Sequence, residues 1–259
     1  MDLGLAGRRA LITGSYRGTG AGIARVLADE GATVVVHGFD DGQPDAVANE
    51  IAAAGGTVET LVADFRTDEG AAAALGAVGH VDVLVNNYGA PVGSSWTEID
   101  RWADEWNTNV VASVRATQAC LRSMRERGWG RVIFLGTTGT RQPGVRNPGY
   151  YAAKSGLHTL VRTLAMECRG TGVTANLVSP GMIATAEVRE MMTRRAARAG
   201  VDGDWAAVEA WASEHAWPNL TERIPDPEDI GRFVAFVASD AAWHVNGADL
   251  PIDGGAPDA

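Results

Sequence analysis

Lys154 is the one lysine in a chain that carries 21 arginines, and it stands four residues after Tyr150 in Tyr150-Tyr151-Ala152-Ala153-Lys154. Arginine presents a wide planar fork that keeps its proton, whereas lysine offers a compact ammonium on a flexible stem. A position that stays lysine in so lysine-poor a chain needs that compact head. On a helix, a spacing of four puts Tyr150 and Lys154 side by side on one face. A cation there favours the phenolate and pulls the tyrosine below its usual pKa of about 10. Reaching ~7 would take roughly 4 kcal/mol of differential interaction. What such a pair does depends on the elements that hold it.

A second constellation lies near the N-terminus, in Thr13-Gly14-Ser15-Tyr16-Arg17-Gly18-Thr19-Gly20. It falls between a short apolar run and a helical pattern. Glycines there let a turn tighten and let backbone N–H groups approach a pyrophosphate, which the helix N-terminus then stabilises. The next apolar run ends at His37-Gly38-Phe39-Asp40, where dinucleotide folds discriminate between cofactors. An acid at that point bonds a ribose 2′-hydroxyl, and a basic residue meets a 2′-phosphate. Gly38 and Phe39 give neither, and Asp40 and Asp41 stand close by. Arg17, inside the glycine loop, can reach a 2′-phosphate. The expectation is NADP(H) in preference to NAD(H).

Candidate strands at Arg9–Thr13, Thr33–His37, Thr57–Val62, Val81–Asn86, Arg131–Gly136, Val173–Val178 and Ala248–Ile252 alternate with helical stretches at 19–30, 44–54, 68–77, 98–127, 149–170 and 227–239. This alternation predicts βαβ units, hence an α/β, doubly wound, seven-stranded parallel sheet of Rossmann type with helices on both faces. All 259 residues are expected in a single domain. The stretch 183–225, with helical patterns at 186–199 and 204–216, is expected as a helical substrate lid. It follows a strand's carboxyl end, where open α/β sheets bind ligands.

With these motifs in order, the chain resembles the short-chain dehydrogenase/reductase family, in its single-domain branch, from Arg8 to Gly255. Thr13-Gly14 through Gly18-Thr19-Gly20 matches the cofactor loop. Asp64, with Phe65 beside it, matches the acid after the third strand that bonds the adenine. Asn86-Asn87-Tyr88-Gly89 matches Asn-Asn-Ala-Gly, with Tyr88 replacing alanine. Asn109 matches the active-site asparagine, and Tyr150 and Lys154 match the catalytic pair. Ser179-Pro180-Gly181-Met182-Ile183-Ala184-Thr185 matches the segment along the nicotinamide, and Asn246-Gly247 through Asp253-Gly254-Gly255 matches the C-terminal signature. The family's serine, thirteen residues before the tyrosine, is here Thr137, with Thr138 as the alternative if the loop is shifted by one. Threonine keeps the hydroxyl, while its methyl stiffens the side chain and narrows the pocket.

The resemblance implies hydride transfer between nicotinamide and a ketone or secondary alcohol. Tyr150 would act as general acid, and Lys154 would lower its pKa and hold the ribose hydroxyls. Thr137 would orient the carbonyl, and Asn109 would hold a relay water. A dinucleotide-binding sensor or scaffold, or a same-fold dehydratase or epimerase, are the alternatives. The chain resembles 3-oxoacyl-carrier-protein reductases in its cofactor loop, while its longer lid counts against a carrier-protein partner. That resemblance raises an acyl-carrier protein as presenter of the substrate, met by Arg127, Arg131 and Arg169 or by the lid arginines. The family resemblance also implies a homodimer or homotetramer through the helices at 98–127 and 149–170.

Met191, Met192, Trp205, Trp211 and Trp217 in the lid either line a pocket for a bulky apolar or aromatic substrate or pack the lid itself. A net charge of −10 argues against nucleic-acid binding. No apolar run reaches a membrane span and Met1-Asp2-Leu3-Gly4 lacks the features of a signal sequence, so a cytoplasmic placement is expected. Cys120 and Cys168 fall in helical patterns and are expected as buried free thiols. The five histidines show no ligand spacing, and no metal is expected.

Overall fold

The strands are β1 (Arg9–Ile12), β2 (Thr33–Gly38), β3 (Val58–Val62), β4 (Val83–Asn86), β5 (Gly130–Leu135), β6 (Val173–Pro180) and β7 (Asp249–Ile252), in a computed structural model that describes residues 2–256. They form one parallel sheet in the order β3-β2-β1-β4-β5-β6-β7. The chain winds outward from β1 to β3, returns to place β4 beside β1, and winds outward the other way. That reversal opens a crevice at the carboxyl ends of β1 and β4.

The helices are α1 (Gly18–Asp29), α2 (Asp45–Ala53), α3 (Asp68–Val78), α4 (Ile99–Trp106), α5 (Ala112–Arg127), α6 (Pro148–Glu167), α7 (Ala186–Arg198), α8 (Trp205–His215) and α9 (Pro227–Ala238). Both faces of the sheet are covered, which is why its strands read as continuous apolar runs. On one face Ile23, Leu27, Ile230 and Val234 of α1 and α9 pack on Ile12, Val36 and Val85. On the other, Ala116, Cys120, Leu157 and Val161 of α5 and α6 pack on Leu11, Leu84 and Phe134. Cys120 and Cys168 are buried and free. No described helix is long and apolar enough to cross a membrane.

Two boundaries differ from the sequence expectation in ways that matter. β6 runs on through Pro180 because β7 keeps pairing with it, Ser179 opposite Pro251 and Pro180 opposite Ile252. The helix expected over 98–127 is interrupted by a π-helical turn at Asn107–Val111. One extra residue per turn widens the helix there, and such bulges often mark functional positions. The turn delivers Asn109 into the interior, where it is 1% exposed.

α7 and α8 occupy the expected lid. They enclose a small core of their own, Met192, Ala196, Val208 and Ala212, against which Met191, Trp205, Trp211 and Trp217 pack. Most of the lid's large apolar side chains are therefore consumed in holding the lid together.

α1 and α9 meet through glycine. A Cβ on Gly22 would fall closer than 3.0 Å to Pro227, backbone included, and one on Gly231 would lie 2.9 Å from Val26 Cγ2. Gly22→Ala should therefore cost about 1–3 kcal/mol through overpacking. Gly76→Ala, in the exposed interior of α3 with nothing within 4 Å of its Cβ position, should gain about 0.5–1 kcal/mol from lower backbone entropy in the unfolded chain. Denaturant unfolding of the two variants beside the parent protein checks both signs.

Candidate active site

Two cavities meet at the carboxyl edge of the sheet. One, of ≈ 360 Å³, runs past Gly14, Arg17, Asn87, Gly89, Lys154 and Ile183. The other, of ≈ 290 Å³, lies under the lid between Thr137, Gln142, Tyr151, Trp217 and Arg223. Among the described residues, Tyr150 is the one that lines both.

The glycine loop and the N-terminus of α1 form the wall of the first cavity. Gly14 and Gly18 have φ of 64° and 56°, a region that other residues enter at a cost. Arg17 precedes the helix without a side-chain cap, and no acid sits in the first turn. The free N–H groups of that turn, with Gly18, Thr19 and Gly20 on the cavity wall, suit a diphosphate. Ser15 is turned the other way: its hydroxyl donates to Ile12 O and accepts from His37 N, tying β1 to β2. Asn86 is likewise turned inward, donating to Thr117 Oγ1, while Asn87 faces the cavity and donates to Thr13 O. Pro180, Ile183 and Thr185 line the far wall, whereas Gly181 lines the pocket under the lid.

Beyond the loop, the end of β2 is filled by rings. Phe39 packs on His37 at 5.2 Å and on Tyr88 at 4.5 Å. Phe65 is buried against His37. His37 accepts from Gly14 N and bonds Ala63 O, and burial lowers it to about 4. Asp64 is held by a two-pronged Arg66, at 2.8 and 2.9 Å, and that hydrogen-bonded guanidinium keeps its carboxyl below the usual range. Arg66 also lies over the Phe39 ring at 4.9 Å. Sequence reasoning passed over Arg66, although a cation two residues past the acid of the third strand was there to be weighed. Arg17 is engaged as well, with Glu187 at 2.9 Å across the mouth of the cavity. Both partners are mostly exposed, so that pair is weak and opens readily.

At the other end, α6 brings Tyr150 and Lys154 against β5. The Lys154 ammonium is 3% exposed and donates to Leu135 O at 2.8 Å. A Cβ on Gly89 would lie 2.6 Å from Lys154 Nζ and 2.8 Å from Asn109 Oδ1, so a side chain there would displace one or both of them. Burial lowers Lys154 to about 8. Burial also pushes the Tyr150 phenol up to about 12, with Tyr151 and Glu105 adding to the rise. The sequence expectation of a lowered tyrosine is thus reversed in the free protein, where burial sets the direction of the shift.

Thr137 and Thr138 both reach the lid-side pocket. Thr137 Oγ1 accepts from Gly139 N at 3.1 Å and retains its own proton, while Thr138 donates its proton to Pro180 O. Tyr151, Gln142, Asn219, Arg223 and Asp253 complete that pocket. Gln142, Asn219 and Arg223 were not singled out from the sequence, because their loops carry no periodic signal, whereas Asp253 falls in the C-terminal signature and Tyr151 lies on α6 beside Tyr150.

The arrangement offers an anion-binding helix terminus, a cleft ending at a lysine, and a tyrosine facing a separate pocket. Known proteins share it from end to end. A D-β-hydroxybutyrate dehydrogenase of Cupriavidus necator is 32% identical over 97% of this chain and 98% of its own length. A 3-oxoacyl-(acyl-carrier-protein) reductase of Pseudomonas aeruginosa is 32% identical over 98% of each chain. The crystal structure of L-sorbose reductase from Gluconobacter frateurii, complexed with NADPH and L-sorbose, is similar at a TM-score of 0.89 and 30% identity, covering 99% of this chain and 98% of that one. Since residues 8–196 also match the short chain dehydrogenase family itself, the chain belongs to the short-chain dehydrogenase/reductase family of oxidoreductases.

Proposed function

We propose that this protein transfers a hydride between NADP(H) and a ketone or secondary alcohol, with Tyr150 as the general acid and base. The observation that carries this reading is the position of Tyr150 at the junction of the two cavities. The nicotinamide cofactor, when bound, supplies or accepts the hydride. The bare N-terminus of α1 and the gap kept open at Gly89 fit its diphosphate and ribose. Arg66 lies over Phe39 just past the end of β2, where a 2′-phosphate calls for cations, and Arg17 lines the cavity of the glycine loop.

Within that frame Lys154 holds the ribose hydroxyls and presents its charge to Tyr150. Thr137 keeps a free proton for the substrate oxygen, which favours it over Thr138. Asn109 holds the relay water. The pocket mixes apolar residues, Met182, Trp217, Pro218, Ile224 and Pro225, with hydrogen-bonding groups, Gln142, Asn219, Arg223 and Asp253. Its polar groups suit a carbonyl compound that carries polar substituents, in keeping with the sugar bound in the sorbose reductase, and its apolar wall suits the bulky apolar substrate suggested by the lid's composition. The reading extends to a homodimer or homotetramer through α5 and α6, on which Ala119, Leu121, Leu160 and Leu164 remain only partly covered.

Parallel fluorescence titrations should show tighter binding of NADPH than of NADH, and an NADPH-consumption screen of polar ketones should find turnover. In that assay Tyr150→Phe should lose about 10²-fold or more, and Lys154→Arg should fall strongly with its fold intact. Binding of neither cofactor would sink the proposal.

The pH behaviour follows from the two shifts. Tyr150 holds its proton up to about 12 in the free protein, so its own titration leaves reduction unchanged through about pH 9 and any fall near pH 8 marks loss of the Lys154 charge, while oxidation, which needs the phenolate, should climb with pH. Rate profiles measured in both directions decide this.

Because Lys154 is alone, ε-13C lysine labelling yields a single side-chain resonance. Its titration midpoint should lie near 8 in the free protein, against 10.5 for an ordinary lysine. The unfolded lysine keeps its proton longer, so this group's penalty on folding is full below pH 8 and fades as pH rises to 10.5.

A further inference from the structure

Glu105 closes α4 and is wholly buried, at 0% exposure. Three N–H groups converge on its carboxyl: Val92 N at 2.9 Å and Ser94 N at 3.5 Å on Oε1, and Asn109 Nδ2 at 3.1 Å on Oε2. A carboxylate accepts at both oxygens, whereas a glutamine would turn its own N–H₂ toward one of these donors. Removing the acid would leave these buried N–H groups without an acceptor, so the carboxylate ties the Val92–Ser94 loop and Asn109 to one point.

Its partners lead to the reacting groups. Asn109 Nδ2 is also directed at Ala90 O and Glu105 O, both at 3.0 Å. With the nitrogen so committed, Oδ1 must point the other way. It is buried without a partner and borders, with Lys154 Nζ, the space beside Gly89. Ser94 in turn accepts from Gly149 N at 2.9 Å, one residue before Tyr150, and a Cβ on Gly149 would lie 3.2 Å from Glu105 Cγ. Two titratable groups face Glu105, both on α6: Tyr150, whose pKa it helps to raise, and Lys154 across Asn109 and Gly89.

We propose that Glu105 is a positioning residue for the reaction. It sets the Asn109 carboxamide with its oxygen toward Lys154 and clamps the Val92–Ser94 loop against α6 beside Tyr150. This rests on the function proposed above, and it assigns a role four residues upstream of Asn109, where the sequence shows only one acid in a polar helix.

The test compares Glu105→Gln and Glu105→Leu, each alone and combined with Asn109→Ala. Two readouts are used: steady-state kinetics with NADPH, and the Lys154 ε-13C titration in the free protein. Glu105→Gln should lower kcat by about tenfold or more, with KM for NADPH held within about twofold. The double variant should be no slower than Asn109→Ala, because one interaction is broken twice. The Lys154 midpoint should move down in both single variants, since an oxygen no longer faces the ammonium. Independent losses that multiply, an unmoved lysine midpoint, or parental kcat in Glu105→Gln would each overturn the proposal. Loss of the fold in both variants would also overturn it, leaving Glu105 a structural strut. Absence of turnover in the parent protein would instead defeat the function proposed above, and the lysine midpoint would still judge how Asn109 is set.

Discussion

Taking an ammonium out of water costs several kcal/mol unless oxygen atoms replace its hydration. The site is built around that demand at Lys154. α6 must cross β5 at its carboxyl end, because the Leu135 carbonyl serves as acceptor there. A side chain on Gly89 would displace the ammonium or Asn109 Oδ1, which close in on its Cβ position from two sides. The π-helical turn at Asn107–Val111 then becomes intelligible, since it carries Asn109 to the third side of the same small space. The lowered lysine and raised tyrosine follow from one cause, exclusion of water from a narrow junction.

The rest of the fold separates two tasks along the sheet edge. The reversal between β1 and β4 opens a crevice whose loop side favours anions through free backbone N–H groups. Its α6 side presents Tyr150 and Lys154 to the same cleft. The lid adds a third wall and, with a core of its own, leaves the polar loop residues Gln142, Asn219 and Arg223 to shape the substrate pocket.

Much of this was legible in the sequence. Strand–helix alternation specified the sheet, and the Tyr150–Lys154 spacing specified which faces of α6 matter, because period and spacing are local properties of the chain. The illegible parts were those set by depth. Ser15 and Asn86 stand in the expected motifs, yet their side chains turn inward to Ile12 and Thr117. Lid methionines and tryptophans look the same in sequence whether they line a cavity or fill a lid. Glu105 sits among Asp104 and Asp100 in a helix whose Ile99 and Trp106 are exposed, an inversion that no hydropathy pattern announces. The direction of the Tyr150 shift is illegible for the same reason: spacing puts a lysine on the same helix face, while the rise comes from burial.

The single lysine also governs how the molecule meets electrophiles. Acylating and cross-linking reagents seek side-chain amines, and this chain offers one, 3% exposed and hydrogen-bonded to the backbone. Its other side-chain cations are arginines, which carry charge without the nucleophilicity of an amine. Amine-directed conjugation therefore has no foothold on the exterior side chains.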